Sequence, residues 1–154
     1  MKKIILTTLV LCSCVFGEIV LNENIKQFEL YDQFDKKHTI LPETKGLIFA
    51  FTKPSGHQVK DFLAKQKKDY LSSRGIYYVA DVSAMPSIIR WFVLDNLDKY
   101  EYEILLIEDE EISSEYKDEK NIEKIMYVAL DNMKVTSIKY FEEMKGLQKL
   151  LEEK

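Results

Sequence analysis

The residues of this chain best placed to run a reaction stand together in Lys53-Pro-Ser-Gly-His57. Ser55 offers a hydroxyl and His57, two positions on, an imidazole, and that pairing can make an activated nucleophile. No G-x-S-x-G elbow surrounds Ser55, and no third member is evident. Ser55 has a structural role open to it as well, because a serine at the start of a helix caps its free N–H groups. His38 is the other histidine. Two histidines, with both cysteines confined to the first 17 residues, are a poor donor set for zinc. Glu108-Asp-Glu-Glu111 could attract calcium through carboxylate oxygens, but it lacks the spacing and glycine of an EF-hand loop and reads as a solvated acidic loop. There is no glycine-rich phosphate loop. Lys60, Lys65, Lys67 and Lys68 read as the wet face of an amphipathic helix. Neither a cofactor nor a metal is expected.

The elements that must position these residues are set by hydrophobic pattern. Leu47 to Phe51 shows no polar alternation, the mark of a strand buried on both faces of a parallel sheet. Pro54 and Gly56 are read as ending it. Val59, Phe62, Leu63, Tyr70 and Leu71 then follow helical spacing, which predicts a helix from His57 to Arg74, stopped by Gly75. Before the central strand, Phe28 to Asp32 and His38 to Leu41 flank a polar turn and predict a hairpin. After it come a strand over 76–82 and a helix entered through Ser83 and Pro86 and running to about Lys99. A buried strand over 103–107 follows. The polar interval 108–124 holds eight acids against three lysines and reads as loop. A strand over 125–130, a turn at Asp131-Asn132, a strand over 134–140 and a closing amphipathic helix complete the order.

The helix after Pro86 is apolar around much of its girth, with Ile88, Ile89, Trp91, Phe92, Val93, Leu94 and Leu97. It should be covered by another element or by a partner. Trp91 and Phe92, with Tyr77, Tyr78, Tyr100 and Tyr102 near by, are mostly explained as core. The alternative is an exposed aromatic patch for a partner or for self-association.

The chain has 154 residues, 46% hydrophobic and 31% charged, the balance of a globular protein and the size of one domain. Residues 1–17 read as an export signal: Lys2 and Lys3, an apolar run from Ile4 to Leu11, then small residues. Cleavage after Gly17 would leave residues 18–154 as one domain without cysteine and therefore without disulfides. Leu11-Cys12-Ser13-Cys14 also resembles a lipoprotein processing site, which would anchor the product to a membrane through Cys14. The formal net charge of −4 disfavours nucleic acid as a partner, and loss of the two lysines makes the balance more acidic still.

The order of elements resembles the thioredoxin-like fold in its longer form, that of peroxiredoxins, periplasmic thioredoxins and the small exported proteins of the YtfJ type. Leu47 to Phe51 corresponds to the strand that delivers the redox turn in those proteins, and Lys53 to His57 lies where the turn would be. Tyr78 to Ser83, followed by Pro86, is similar to the family's second strand and its exit. The resemblance covers roughly residues 25 to 152. It implies a three-layer α/β/α domain with a central mixed sheet and an N-terminal hairpin. Two departures bear on function. The turn holds Ser55 and His57 where a reactive cysteine would stand, and Glu123-Lys124 replaces the proline that precedes the next strand. The reading is an exported, redox-inactive binding or scaffolding module of the bacterial periplasm with an envelope protein as partner, contacting it through Lys53, Ser55, His57 and Trp91. The rival readings are a hydrolase or transferase using Ser55 and His57, and an envelope lipoprotein anchored at Cys14.

Overall fold

A computed structural model describes residues 19–153. The export segment expected over 1–17, with Cys12 and Cys14, lies outside the described residues. The strands are β1 (Glu29–Asp32), β2 (Lys37–Thr39), β3 (Gly46–Ala50), β4 (Ile76–Asp81), β5 (Ile104–Ile107), β6 (Ile125–Asp131) and β7 (Lys134–Phe141). The helices are α1 (Lys53–Leu63), α2 (Ser87–Leu97), α3 (Glu110–Tyr116) and α4 (Met144–Glu152). The seven strands form one mixed sheet in the order β2-β1-β5-β4-β3-β6-β7. β3, β4 and β5 are parallel at its centre; the β1–β2 hairpin and the β6–β7 hairpin flank them antiparallel.

Side chains alternate across a strand, so the uniformly apolar β3 feeds two cores at once. Ile48 and Ala50 face one, where Val59 and Leu63 of α1, Leu97 of α2, and Leu147 and Leu151 of α4 pack. Leu47 and Phe49 face the other, closed by Leu30 of the N-terminal hairpin and Tyr116 of α3. This is the three-layer thioredoxin-like architecture expected from the order of elements.

Gly46 fits β3 because of what lies beside it. A Cβ there would stand 2.8 Å from the ring and hydroxyl of Tyr127, itself only 2% exposed on β6. Gly46→Ala should lower the unfolding free energy by about 1–3 kcal/mol through overpacking, and Gly46→Val by more. Urea titration followed by circular dichroism measures both.

Four local expectations are corrected. Pro54 does not end the strand's run into a turn but sits in the first turn of α1, where a missing N–H removes no helical bond. The helix predicted over 57–74 therefore begins earlier, at Lys53, and ends at Leu63. Beyond it the polar run Gln66 to Asp69 has no face to bury, and Tyr70 and Leu71 reach the core from turns rather than from a continued helix. Gly75 does act as a stop, for a 3-10 turn over Ser72–Arg74, with φ of 65°. Ser83 is not the cap of α2; Pro86 holds that position without a side-chain hydrogen bond. The acidic interval is not all loop either: Asp109 accepts from the Glu111 and Ile112 amides, and Glu110 and Glu111 in the first turn of α3 suit its positive end.

Candidate functional site

β3 and β4 run parallel, so the turns leaving them open on the same end of the sheet, the edge where α/β folds place ligands. Thr52 to His57 leaves β3 there, and Ser83 to Ser87 leaves β4. Antiparallel β6 brings its start to the same end, since Phe49 pairs with Met126. Lys124, just before β6, forms an ion pair with Glu142 at 3.1 Å in the position where the resemblance would put a proline.

Within the turn the predicted residues do not converge. Lys53 and His57 are exposed, whereas Ser55 is fully buried at 0% exposure. The Ser55 hydroxyl donates to the Thr52 carbonyl at 3.0 Å and accepts from the Thr52 amide at 3.3 Å, its oxygen 3.1 Å from the Thr52 hydroxyl. Ser55 thus works in the manner of the third residue of a capping box, with Thr52 as the cap. The cap expected at the head of a helix starting near His57 is displaced because the helix starts four residues sooner. A hydroxyl so enclosed is in no position to attack a substrate. Ser55→Ala is accordingly expected to cost about 0.5–2 kcal/mol of stability, read as a fall in the urea midpoint, with surface chemistry at His57 unchanged.

Beneath the turn lies Tyr78, which is 3% exposed and whose hydroxyl donates to the Gly56 carbonyl at 3.5 Å. Burial pushes this phenol well above its ordinary range, so it stays protonated and offers no general base. Tyr102 is raised in the same sense, first by burial and then by Tyr100, and Tyr116 is pushed up to about 12, chiefly by burial. Tyr78 and Tyr102 are core, as expected of most of the aromatic set. Trp91 and Phe92 are not: they are 62% and 57% exposed on α2 and touch each other edge to face at 5.0 Å. The cover expected over this helix is absent on that side among the described residues.

Two polar clusters, each joining residues of separate elements, escaped the sequence reading. At the end of β4, Asp81 accepts from the Ser83 hydroxyl at 2.6 Å and from Ser113 of α3 at 2.5 Å. The Arg90 guanidinium ties the same loop down, donating to the Ser83, Met85 and Glu108 carbonyls at 2.7–3.1 Å. In the N-terminal hairpin, Asp32 and His38 meet at 2.7 Å, 2% and 7% exposed. Glu103 completes a set of metal-type ligands whose donor atoms lie within 4.8 Å of one another. Its carboxylate is already paired with Lys36 at 3.0 Å and the Asp32 carboxylate with His38, so both charges are met by protein groups. The alternation around Gln33 to Lys37 revealed the hairpin but not this pair.

A cleft of about 430 Å³ lies away from the turn, between the end of α3 and the β6–β7 hairpin, against Tyr116, Met126, Ile138 and Tyr140. No helix among the described residues is long and apolar enough to cross a membrane.

Comparison with solved structures agrees with this architecture. A proposed protein disulfide isomerase of Bacteroides thetaiotaomicron superposes with a TM-score of 0.58 at 16% identity, covering 90% of each chain. Peroxidoxin BcpB of Mycobacterium tuberculosis gives 0.54 at 16% identity over 86% of this chain and 94% of its own. The thioredoxin domain of a thiol-disulfide oxidoreductase from Bacteroides vulgatus gives 0.51 at 10% identity over 87% and 99%. The fold is thioredoxin-like. No family model matches the sequence, and no curated protein sequence does.

Proposed function

We propose that the protein is an exported, redox-inactive thioredoxin-like module that binds or scaffolds a protein partner in the bacterial envelope. The observation that carries this reading is the buried residue at the head of α1. A helix N-terminus lowers a thiol's pKa and stabilises the thiolate that thiol–disulfide exchange requires. Here that position holds Ser55, hydrogen-bonded to Thr52, and residues 19–153 contain no cysteine. The exposed Lys53 and His57 remain available for contact. Export rests on residues 1–17, with Glu18 as the first mature residue; retention of Cys14 with acyl chains, read by intact mass, would favour the lipoprotein instead.

The protein purified from the envelope should reduce insulin disulfides and consume peroxide no faster than buffer. A rate proportional to protein concentration and abolished by thiol alkylation would overturn the proposal. A photoreactive residue at Lys53 or His57 should capture one reproducible envelope protein, whereas the same residue at exposed Lys149 should not.

A further inference from the structure

We propose that α2 pairs with α2 of a second copy of this chain, antiparallel about a two-fold axis, through Ile88, Ile89, Trp91 and Phe92. The inference is independent of the redox reading of the turn. One side of α2 is fully used: Leu97 is buried, and Val93 and Leu94 pack against the core. The other side carries Ile88, Ile89, Trp91 and Phe92 at 70%, 52%, 62% and 57% exposure. Arg90, between them, is folded back onto the Ser83, Met85 and Glu108 carbonyls, so it adds no cation to the face. Ser87–Leu97 contains no basic residue besides Arg90, which disfavours an anionic surface as the occupant.

Four side chains of this size, each more than half uncovered, expose on the order of 500 Å², at the upper end of what ordinary monomers leave open. Two such faces together remove about 1,000 Å² from water, the threshold for a specific interface, before any flanking contact is counted. The Trp91 and Phe92 rings already hold an edge-to-face geometry at 5.0 Å and 69°, so little ordering remains to be done on association.

Charge selects the second copy over an unrelated apolar partner. α2 has no acid in its first turn and no base in its last, and its cap, Pro86, provides no side-chain hydrogen bond. Its acids, Asp95 and Asp98, stand at the C-terminal end, against the helix dipole. Lys99, one residue beyond Asp98, is turned to Asn96 at 2.7 Å. The spacing 91, 95, 98 puts both acids on the stripe of Trp91. In an antiparallel pair centred between Trp91 and Phe92, Asp95 falls opposite Ile88, in the first turn of the other copy's helix, and Asp98 opposite Met85, just before it. Each acidic end then meets an uncapped, positive N-terminus. Acids unfavourably placed at the C-terminal end of their own helix thus come to lie beside the N-terminus of the other copy's helix, at both ends of the pair.

Trp91 is the one tryptophan of the chain and reports on its own burial. The exported protein is studied by sedimentation equilibrium and tryptophan emission over a concentration series. A dimer is expected, with blue-shifted emission that moves to the red on dilution at the same midpoint as the mass. Phe92→Glu, at a surface position that leaves the core intact, should give a monomer with unchanged urea midpoint. Asp98→Lys should weaken the dimer about tenfold, while Asp69→Lys, on the exposed turn after α1, should not. A protein that stays monomeric with red emission at every concentration would overturn the proposal and assign the face to a different macromolecule. A dimer indifferent to Phe92→Glu would overturn it too, and one indifferent to Asp98→Lys would overturn the antiparallel arrangement.

Discussion

Phe49→Ala is expected to lower the unfolding free energy by about 3–5 kcal/mol. Phe49 is 0% exposed in the middle of β3, the strand with two parallel or antiparallel partners and a core on each side. Its ring stacks on Phe51 at 5.6 Å and on Tyr116 at 5.8 Å, and through Tyr116 it fixes α3 to the sheet. Alanine would remove the transfer free energy of the ring and leave a cavity that neither a β-strand nor two stacked aromatics can close. Phe49→Leu keeps most of the volume and should cost less than half as much. Urea denaturation of the two variants, with equal m-values, checks the ordering; equal losses for Ala and Leu would mean that stacking rather than volume holds this layer. A domain stabilised by about 5–15 kcal/mol loses a large part of its margin to the alanine change.

Asp32→Ala is the second, with an expected loss of about 3–5 kcal/mol. The Asp32 carboxylate is buried and serves three donors: the Phe34 amide at 2.8 Å, the Lys36 amide at 3.0 Å and His38 Nε2 at 2.7 Å. Truncation orphans all of them in the hairpin that forms one edge of the sheet. Asp32→Asn keeps an acceptor for the two amides and disturbs only the contact with His38, so its cost should be about 1–2 kcal/mol. The pair also makes an acid-sensitive element. Burial by itself would raise the Asp32 pKa, but the hydrogen bonds from His38, Lys36 and Phe34 outweigh it and hold the group below its ordinary 3.8. A carboxyl depressed in the folded state contributes stability that is complete above the ordinary value and is lost as pH falls through the folded one. Stability should therefore decline below about pH 4 in the native protein, and Asp32→Asn should lack that part of the decline. Urea midpoints from pH 2 to 6 for both proteins decide the matter; parallel profiles would place the acid sensitivity elsewhere.

These two residues mark what could and could not be read from the chain. The burial of Phe49 was visible in the unbroken apolar run of β3, because hydrophobic continuity is a local property. So were the order of the strands and of three of the four helices, the flanking hairpins and the closing helix. From that order came the thioredoxin-like architecture. Helix ends were less legible: Pro54 looks like a breaker along the chain, yet in the first turn of α1 it is compatible with the helix, and only the three-dimensional start of the helix distinguishes the two. For the same reason Ser55 could be read as nucleophile or as cap until its burial and its bonds to Thr52 were in view.

What the sequence determined by itself is the seven strands, three of the four helices and the residue types at the head of α1. Only the tertiary structure decided which groups meet. Asp32 with His38, Asp81 with Ser113, and Gly46 with Tyr127 are neighbours across strands and layers, at separations that no periodicity encodes. Only the structure, too, decided which aromatics of the apolar α2 face outward. A helix that is apolar all round carries no mark of its buried side; the sheet it packs against selects Leu97, Val93 and Leu94, and leaves Trp91 and Phe92 to the solvent.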